Sequence, residues 1–162
     1  MRPVAYYLDE YANDHRNPAN KALHRVCVPL IVLSLLGLLW ALPTPAAVSS
    51  LSEYANWATA FATGALLYYV LLSPRLAAGM LAILIACIVV IDALGSLPWP
   101  LWQTSATIFV IAWIGQFIGH TIEGKRPSFF RDVQFLLIGP LWLLADAYRR
   151  LGINITKARQ PK

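Results

Sequence analysis

Three histidines, His15, His24 and His120, are the whole imidazole complement of this 162-residue chain, and each lies in one of two polar segments of an otherwise apolar sequence. The first segment runs from Tyr11 through Asn13, Asp14, His15, Arg16, Asn17, Pro18, Asn20 and Lys21 to His24, and leads into Val28-Pro29-Leu30. The second runs from Gln116 through His120 and Glu123 to Gly124, Lys125, Arg126 and Pro127. Three neutral imidazoles brought together suit a divalent transition metal such as iron(II), zinc or copper. Three protein ligands with an open position mark a catalytic rather than a structural site. Glu123 could serve as a fourth ligand, as a partner fixing a histidine tautomer, or as a proton acceptor. Spacing alone is a weak signal here, because no HExxH is present and a single histidine at a helix end more often caps or faces an interface.

The elements that must position these groups follow from local chemistry. Asn17-Pro18 reads as an N-cap followed by proline in the first helical turn, where its missing N–H costs nothing. A helix from there through Lys21 puts Asn20 and His24, four apart, on one face. Gln116, His120 and Glu123 share a face of a second helix that Gly124 and Pro127 stop. Asn17, Asn20 and Gln116 could orient water, substrate oxygens or metal-bound imidazoles; the commoner role of such residues is to satisfy backbone groups at helix ends.

Composition sets the environment. The chain is 58% hydrophobic and 13% charged with a mean hydropathy of +0.57, whereas a soluble domain sits near half apolar and a quarter charged. This excludes a soluble globular enzyme and a disordered chain, and leaves a polytopic all-α membrane protein. Apolar windows over 26–42, 54–72, 76–94 and 101–119 predict four transmembrane helices arranged as two hairpins. A fifth, shorter stretch over 133–148 is interrupted by Gly139-Pro140 and is read as a re-entrant or interfacial segment. With four spans, all 13 Lys and Arg residues fall on one side, the cytoplasmic face by the positive-inside rule, and both termini are cytoplasmic. Residues 1–150 form one integral-membrane catalytic domain, and 151–162 a basic mobile tail near anionic lipid. No cleavable signal peptide is expected in the polar first 25 residues. Cys27 and Cys87 offer neither a disulfide framework nor a CxxC site. The net charge of +5 reports orientation rather than nucleic acid, because the basic residues are spread along one membrane face. Trp40, Trp99, Trp102 and Trp142 fall at span ends as interfacial anchors. Tyr6, Tyr7 and Tyr11 predict an amphipathic N-terminal helix lying on the membrane. Asp92 is placed near the outer end of its span, outside the site.

At these residues the sequence resembles a known family. His15-Arg-Asn-Pro-Ala-Asn-Lys-Ala-Leu-His24 followed by Val28-Pro29-Leu30-Ile31 is similar to the start of the 2-hydroxy fatty acid dioxygenases, whose fungal members are endoplasmic-reticulum proteins and which have many bacterial relatives. Trp113-Ile-Gly-Gln-Phe-Ile-Gly-His120 with Glu123-Gly-Lys-Arg-Pro127 is similar to the family's second signature, and Leu137-Ile-Gly-Pro-Leu-Trp142 to the stretch beyond that signature in bacterial members. Cys27 departs from the pattern, standing where glycine is expected before the Val-Pro pair.

The resemblance implies an iron(II)-dependent dioxygenase that needs no 2-oxoglutarate and shortens a long-chain 2-hydroxy fatty acid by one carbon, with dioxygen as co-substrate. It implies His15, His24 and His120 as the iron ligands. Glu123, Asn20 and Gln116 are then the catalytic candidates. Lys21, Arg25, Lys125 and Arg126 are candidates for the carboxylate, with plain positive-inside anchoring an equal alternative. The membrane is a bacterial inner membrane or the endoplasmic reticulum. Two other readings compete: a non-enzymatic lipid-binding scaffold whose histidines serve packing, and a zinc-dependent membrane hydrolase with Glu123 as general base. A transporter would need polar residues at mid-membrane, and these spans have almost none.

Overall fold

Helix boundaries follow the caps. Asn17 Oδ1 accepts from the Ala19 N–H at 2.9 Å and Pro18 occupies the first turn, so the first long helix starts well before the apolar stretch that announces it. The computed structural model describes residues 2–127 and 134–153. Every regular element among them is helical: α1 (Val4–Asn13), α2 (Pro18–Trp40), α3 (Ala46–Ser49), α4 (Trp57–Leu72), α5 (Pro74–Gly95), α6 (Leu101–Glu123) and α7 (Phe135–Arg150). Arg131, Val133 at the head of the fifth apolar stretch, and the basic residues Lys157, Arg159 and Lys162 of the expected tail lie outside the described residues.

Among the described residues three helices are long and apolar enough to cross a membrane: α2, α5 and α6, with 23, 22 and 23 residues. At ~1.5 Å per residue each spans about 33–35 Å, beyond the roughly 30 Å hydrocarbon core. The fourth expected span differs. Asn56 Oδ1 accepts from the Ala58 and Thr59 N–H groups, and Thr59 Oγ1 accepts from the Asn56 N–H at 3.2 Å. This capping box starts α4 at Trp57 rather than Tyr54. Ser73-Pro74 ends it, leaving 16 residues, about 24 Å.

The most extensive packing is between α2 and α6, with α4 against α5, and α2 also touching α4, α5 and α7. Small residues let α2 and α6 approach. A Cβ on Gly37 would collide with Ser105 Oγ, one on Gly119 with Asn20 Oδ1, and one on Gly115 would lie 2.6 Å from Cys27 Sγ. Residue numbers fall along α2 as they rise along α6, so the helices run antiparallel and the start of α2 meets the end of α6.

Two sequence expectations are corrected at the C-terminal segment. α7 runs unbroken through Gly139-Pro140, with the Tyr69 hydroxyl donating to the neighbouring Leu137 carbonyl at 2.8 Å. Trp142 is buried rather than interfacial, in a cluster that joins α7 to Val4, Leu8 and Tyr11 of α1 and to Tyr69, Leu76 and Met80. The apolar face of α1 therefore packs on protein. Residues 4, 8 and 11 recur at helical spacing, and α7 offers the apolar surface that the bilayer was expected to supply. Trp99 and Trp102 are exposed, in keeping with their place at a span end.

Candidate metal centre

The start of α2, the end of α6 and the loop after α1 bring the three histidines together. Their ring centroids are 4.4 Å apart for His15–His24, 5.1 Å for His15–His120 and 5.0 Å for His24–His120, all edge-to-face. One ligand atom from each lies within 4.8 Å of the others. All three are at least 94% buried, as are Asn20 and Gln116.

Backbone carbonyls assign two of the tautomers. His15 Nδ1 donates to the Tyr11 carbonyl at 2.6 Å, and His24 Nδ1 to the Asn20 carbonyl at 3.0 Å. Each ring thus uses a carbonyl four residues earlier, the one that its own helical turn presents. The proton held on Nδ1 leaves Nε2 as the lone-pair atom. His15 Nε2 and His120 Nδ1 are buried with no hydrogen-bond partner among the described residues. Burial pushes the His15 imidazole below the usual histidine range, more than its carbonyl partner and Glu123 raise it, so it is neutral near pH 7. Neutral imidazoles with buried, unpartnered nitrogens aimed into one space are what a divalent transition ion requires. The residues fit such a metal.

Tyr11 is the residue the sequence did not single out for the site. Its ring stacks on His15, centroids 4.0 Å apart and 12° between planes, and it touches Trp142 at 5.4 Å. Burial pushes its phenol well up, so it is a neutral wall and not a base. The signal available was the Tyr11–His15 spacing of four, the same as Asn20–His24.

The other candidate residues divide. Glu123 is at the site's edge, and its carboxylate accepts from the Arg16 N–H (2.8 Å), the Asn17 N–H (2.9 Å) and Asn20 Nδ2 (2.9 Å). It clamps the loop bearing His15 and the start of α2 onto the end of α6. Asn20 Oδ1 is left buried and unpartnered. Gln116 and His15 line one cavity of about 60 Å³. Lys125 and Arg126 line an open hollow with His120. Lys125 Nζ donates to the Asn13 carbonyl at 2.9 Å and pairs with Asp14 Oδ1 at 3.4 Å. Arg25 pairs with Asp146 at 3.5 Å. Lys21 stands partly exposed in the first turns of α2.

The family model described as 2-hydroxy-palmitic acid dioxygenase Mpo1-like matches residues 1–151, taking in both polar segments and all three histidines. The 2-hydroxy-palmitic acid dioxygenase MPO1 of Saccharomyces cerevisiae is 30% identical to this chain over 140 residues, covering 85% of the chain and 75% of the yeast protein. No solved structure matches. On the extent of the family match and the identity to the yeast protein, the chain belongs to the 2-hydroxy-palmitic acid dioxygenase Mpo1-like family.

Proposed function

We propose that the protein is an iron(II)-dependent membrane dioxygenase that converts a long-chain 2-hydroxy fatty acid to the fatty acid one carbon shorter by α-oxidation. The observation that carries the reading is the convergence of three buried imidazoles, two with unpartnered nitrogens. Family membership supports the reaction class. The stoichiometry closes with dioxygen alone. The C1–C2 bond breaks, C2 passes from alcohol to carboxyl, C1 leaves as carbon dioxide, and dioxygen takes four electrons and is shared between the new acid and one water.

His15, His24 and His120 would hold the metal, which supplies open positions for substrate oxygens and dioxygen. The chain's own groups do the rest. The carbonyls of Tyr11 and Asn20 keep two rings in the ligating tautomer. Asn20 Oδ1 is an acceptor for the 2-hydroxyl or for water, and Gln116 orients groups in the cavity it shares with His15. Arg126, in the hollow beside His120, is the cation best placed for the carboxylate, with Lys125 next to it and Lys21 and Arg25 farther along α2. Glu123 acts as a positioning residue, because both of its oxygens are taken by N–H donors. The cytoplasmic face is the proposed side of the site, since the nine described Lys and Arg residues all lie beside α1, at the starts of α2 and α5, or near the ends of α6 and α7.

Anaerobic purification, metal analysis and oxygen uptake test the reading. About one iron per chain is expected for a three-ligand site, lost in each of His15→Ala, His24→Ala and His120→Ala, with carbon dioxide released as a 2-hydroxy acid is consumed. Zinc lost in the same pattern without oxygen uptake would move the reaction to hydrolysis. No metal after iron(II) reconstitution would leave a lipid-binding scaffold.

A further inference from the structure

A second, larger cavity of about 410 Å³ lies between α2, α4, α5, α6 and α7, a volume within the range of small-molecule sites. None of the described residues lining it is charged, the Tyr69 hydroxyl donates to the Leu137 carbonyl, and Gln134 donates to the Tyr68 hydroxyl. At one end it adjoins the site, with Ile31, Val32, Trp113, Leu136 and Pro140 lining both this chamber and the small cavity of His15 and Gln116. At the other end Leu36 and Leu84 form a partition. Both line the chamber, and both also line a separate small void bounded by Trp40 and Ile91. Leu36 is twelve residues beyond His24 on α2, about 18 Å along the helix.

We propose that this chamber holds the acyl chain of the 2-hydroxy acid, and that Leu36 and Leu84 set the longest chain accepted. The proposal rests on the reading of the histidine centre as the place where the 2-hydroxy acid head reacts. Phe61 and Leu136 line the chamber and are both exposed, so on this proposal a chain dissolved in the bilayer enters between α4 and α7. That origin decides how selection works. Lipid tails are as apolar as these walls, so transfer from bilayer to chamber brings no hydrophobic gain that would favour one length. Shape selects instead. A chain too long for the space must displace the partition, and overpacking is worth about 5- to 150-fold in binding. Truncating either leucine joins the chamber to the void beyond it. Enlarging Ala65, a small residue on the α4 wall, shortens the space.

The test uses the full chain in lipid nanodiscs, presented with an equimolar ladder of 2-hydroxy fatty acids of increasing length. Retained acids are identified by mass spectrometry without oxygen, and consumed acids in a parallel aerobic run. Leu84→Ala and Leu36→Ala should move both profiles to longer acids, and Ala65→Leu to shorter ones, by about fivefold or more at the limiting length. Leu84→Val carries the same test if the larger truncation fails to purify. Val89→Ala, on the exposed face of α5, should leave both profiles unchanged. Retained-acid profiles that shift while no variant or wild type consumes oxygen would keep the chamber and sink the dioxygenase reading. Turnover with identical profiles in all folded, iron-binding variants overturns the chamber and leaves the reaction standing.

Discussion

Three N–H donors converge on the Glu123 carboxylate from a segment more than a hundred residues earlier, at separations of 107, 106 and 103 positions. Two are backbone groups at the start of α2, where a carboxylate is also favoured by the helix dipole. Glu123→Ala leaves all three without their acceptor and frees the loop bearing His15. Removal of such outer partners typically costs 10- to 100-fold in metal affinity, and that is the expected loss in an iron titration, with helical content retained. Glu123→Gln, which keeps an acceptor oxygen, should recover part of it. A proton-acceptor role would give a different pattern, in which both variants keep their iron and lose turnover equally. These contacts also mark what a sequence shows and what it hides. The spacings of Asn20–His24 and Gln116–His120 are local, so a shared face was legible from helix geometry alone. Glu123 with Asn17, and Lys125 with Asp14, depend on α6 returning to α2, and no residue type announces that. Trp142 read as an anchor for the same reason, since the ring that buries it belongs to α1.

At the scale of elements, the seam between α2 and α6 sets the distance between His24 and His120. It is built from Gly37 on Ser105, Cys27 on Gly115 and Asn20 on Gly119, close approaches of the kind small residues permit in membranes. Cys27, which departs from the glycine expected there, meets its compensation in Gly115. Gly115→Ala should therefore lower the melting temperature in detergent, because overpacking of about 1–3 kcal/mol exceeds the roughly 1 kcal/mol of helix propensity gained. Adding Cys27→Gly should restore much of the loss, and a strictly additive double mutant would show that the pair does not meet. Gly119→Ala, whose Cβ strikes Asn20, should weaken iron binding and resist that rescue. Helix ends marked by caps, Asn17-Pro18, Ser73-Pro74 and Gly124, were legible in the sequence. Continuity of α7 through Pro140 was not, because Tyr69 and the packing of α1 that support it come from elsewhere in the chain.

For the whole molecule, the meeting of His24 with His120 constrains the path of the chain across a bilayer. His24 lies near the start of α2 and His120 near the end of α6, so an even number of crossings must separate them. Among the described residues α2, α5 and α6 are long and apolar enough to supply three, and on parity we propose α4 as the fourth. Its 16 residues fall a few ångströms short of the hydrocarbon core, a mismatch that local thinning and the interfacial Trp57 can absorb at modest cost. On that proposal the 41–56 connection would lie on the outer face and the end of α7 on the inner one, with the histidines. The exposed residues Leu51 and Leu151 report these two faces. In intact cells or right-side-out vesicles, Leu51→Cys should react with a membrane-impermeant thiol reagent, and Leu151→Cys only after permeabilisation. Cys27 is buried and Cys87 half-buried, so the unsubstituted protein sets a low background. Labelling of Leu51→Cys and Leu151→Cys alike from outside would overturn the four-crossing path, and labelling of Leu151→Cys alone would keep the path and invert its orientation.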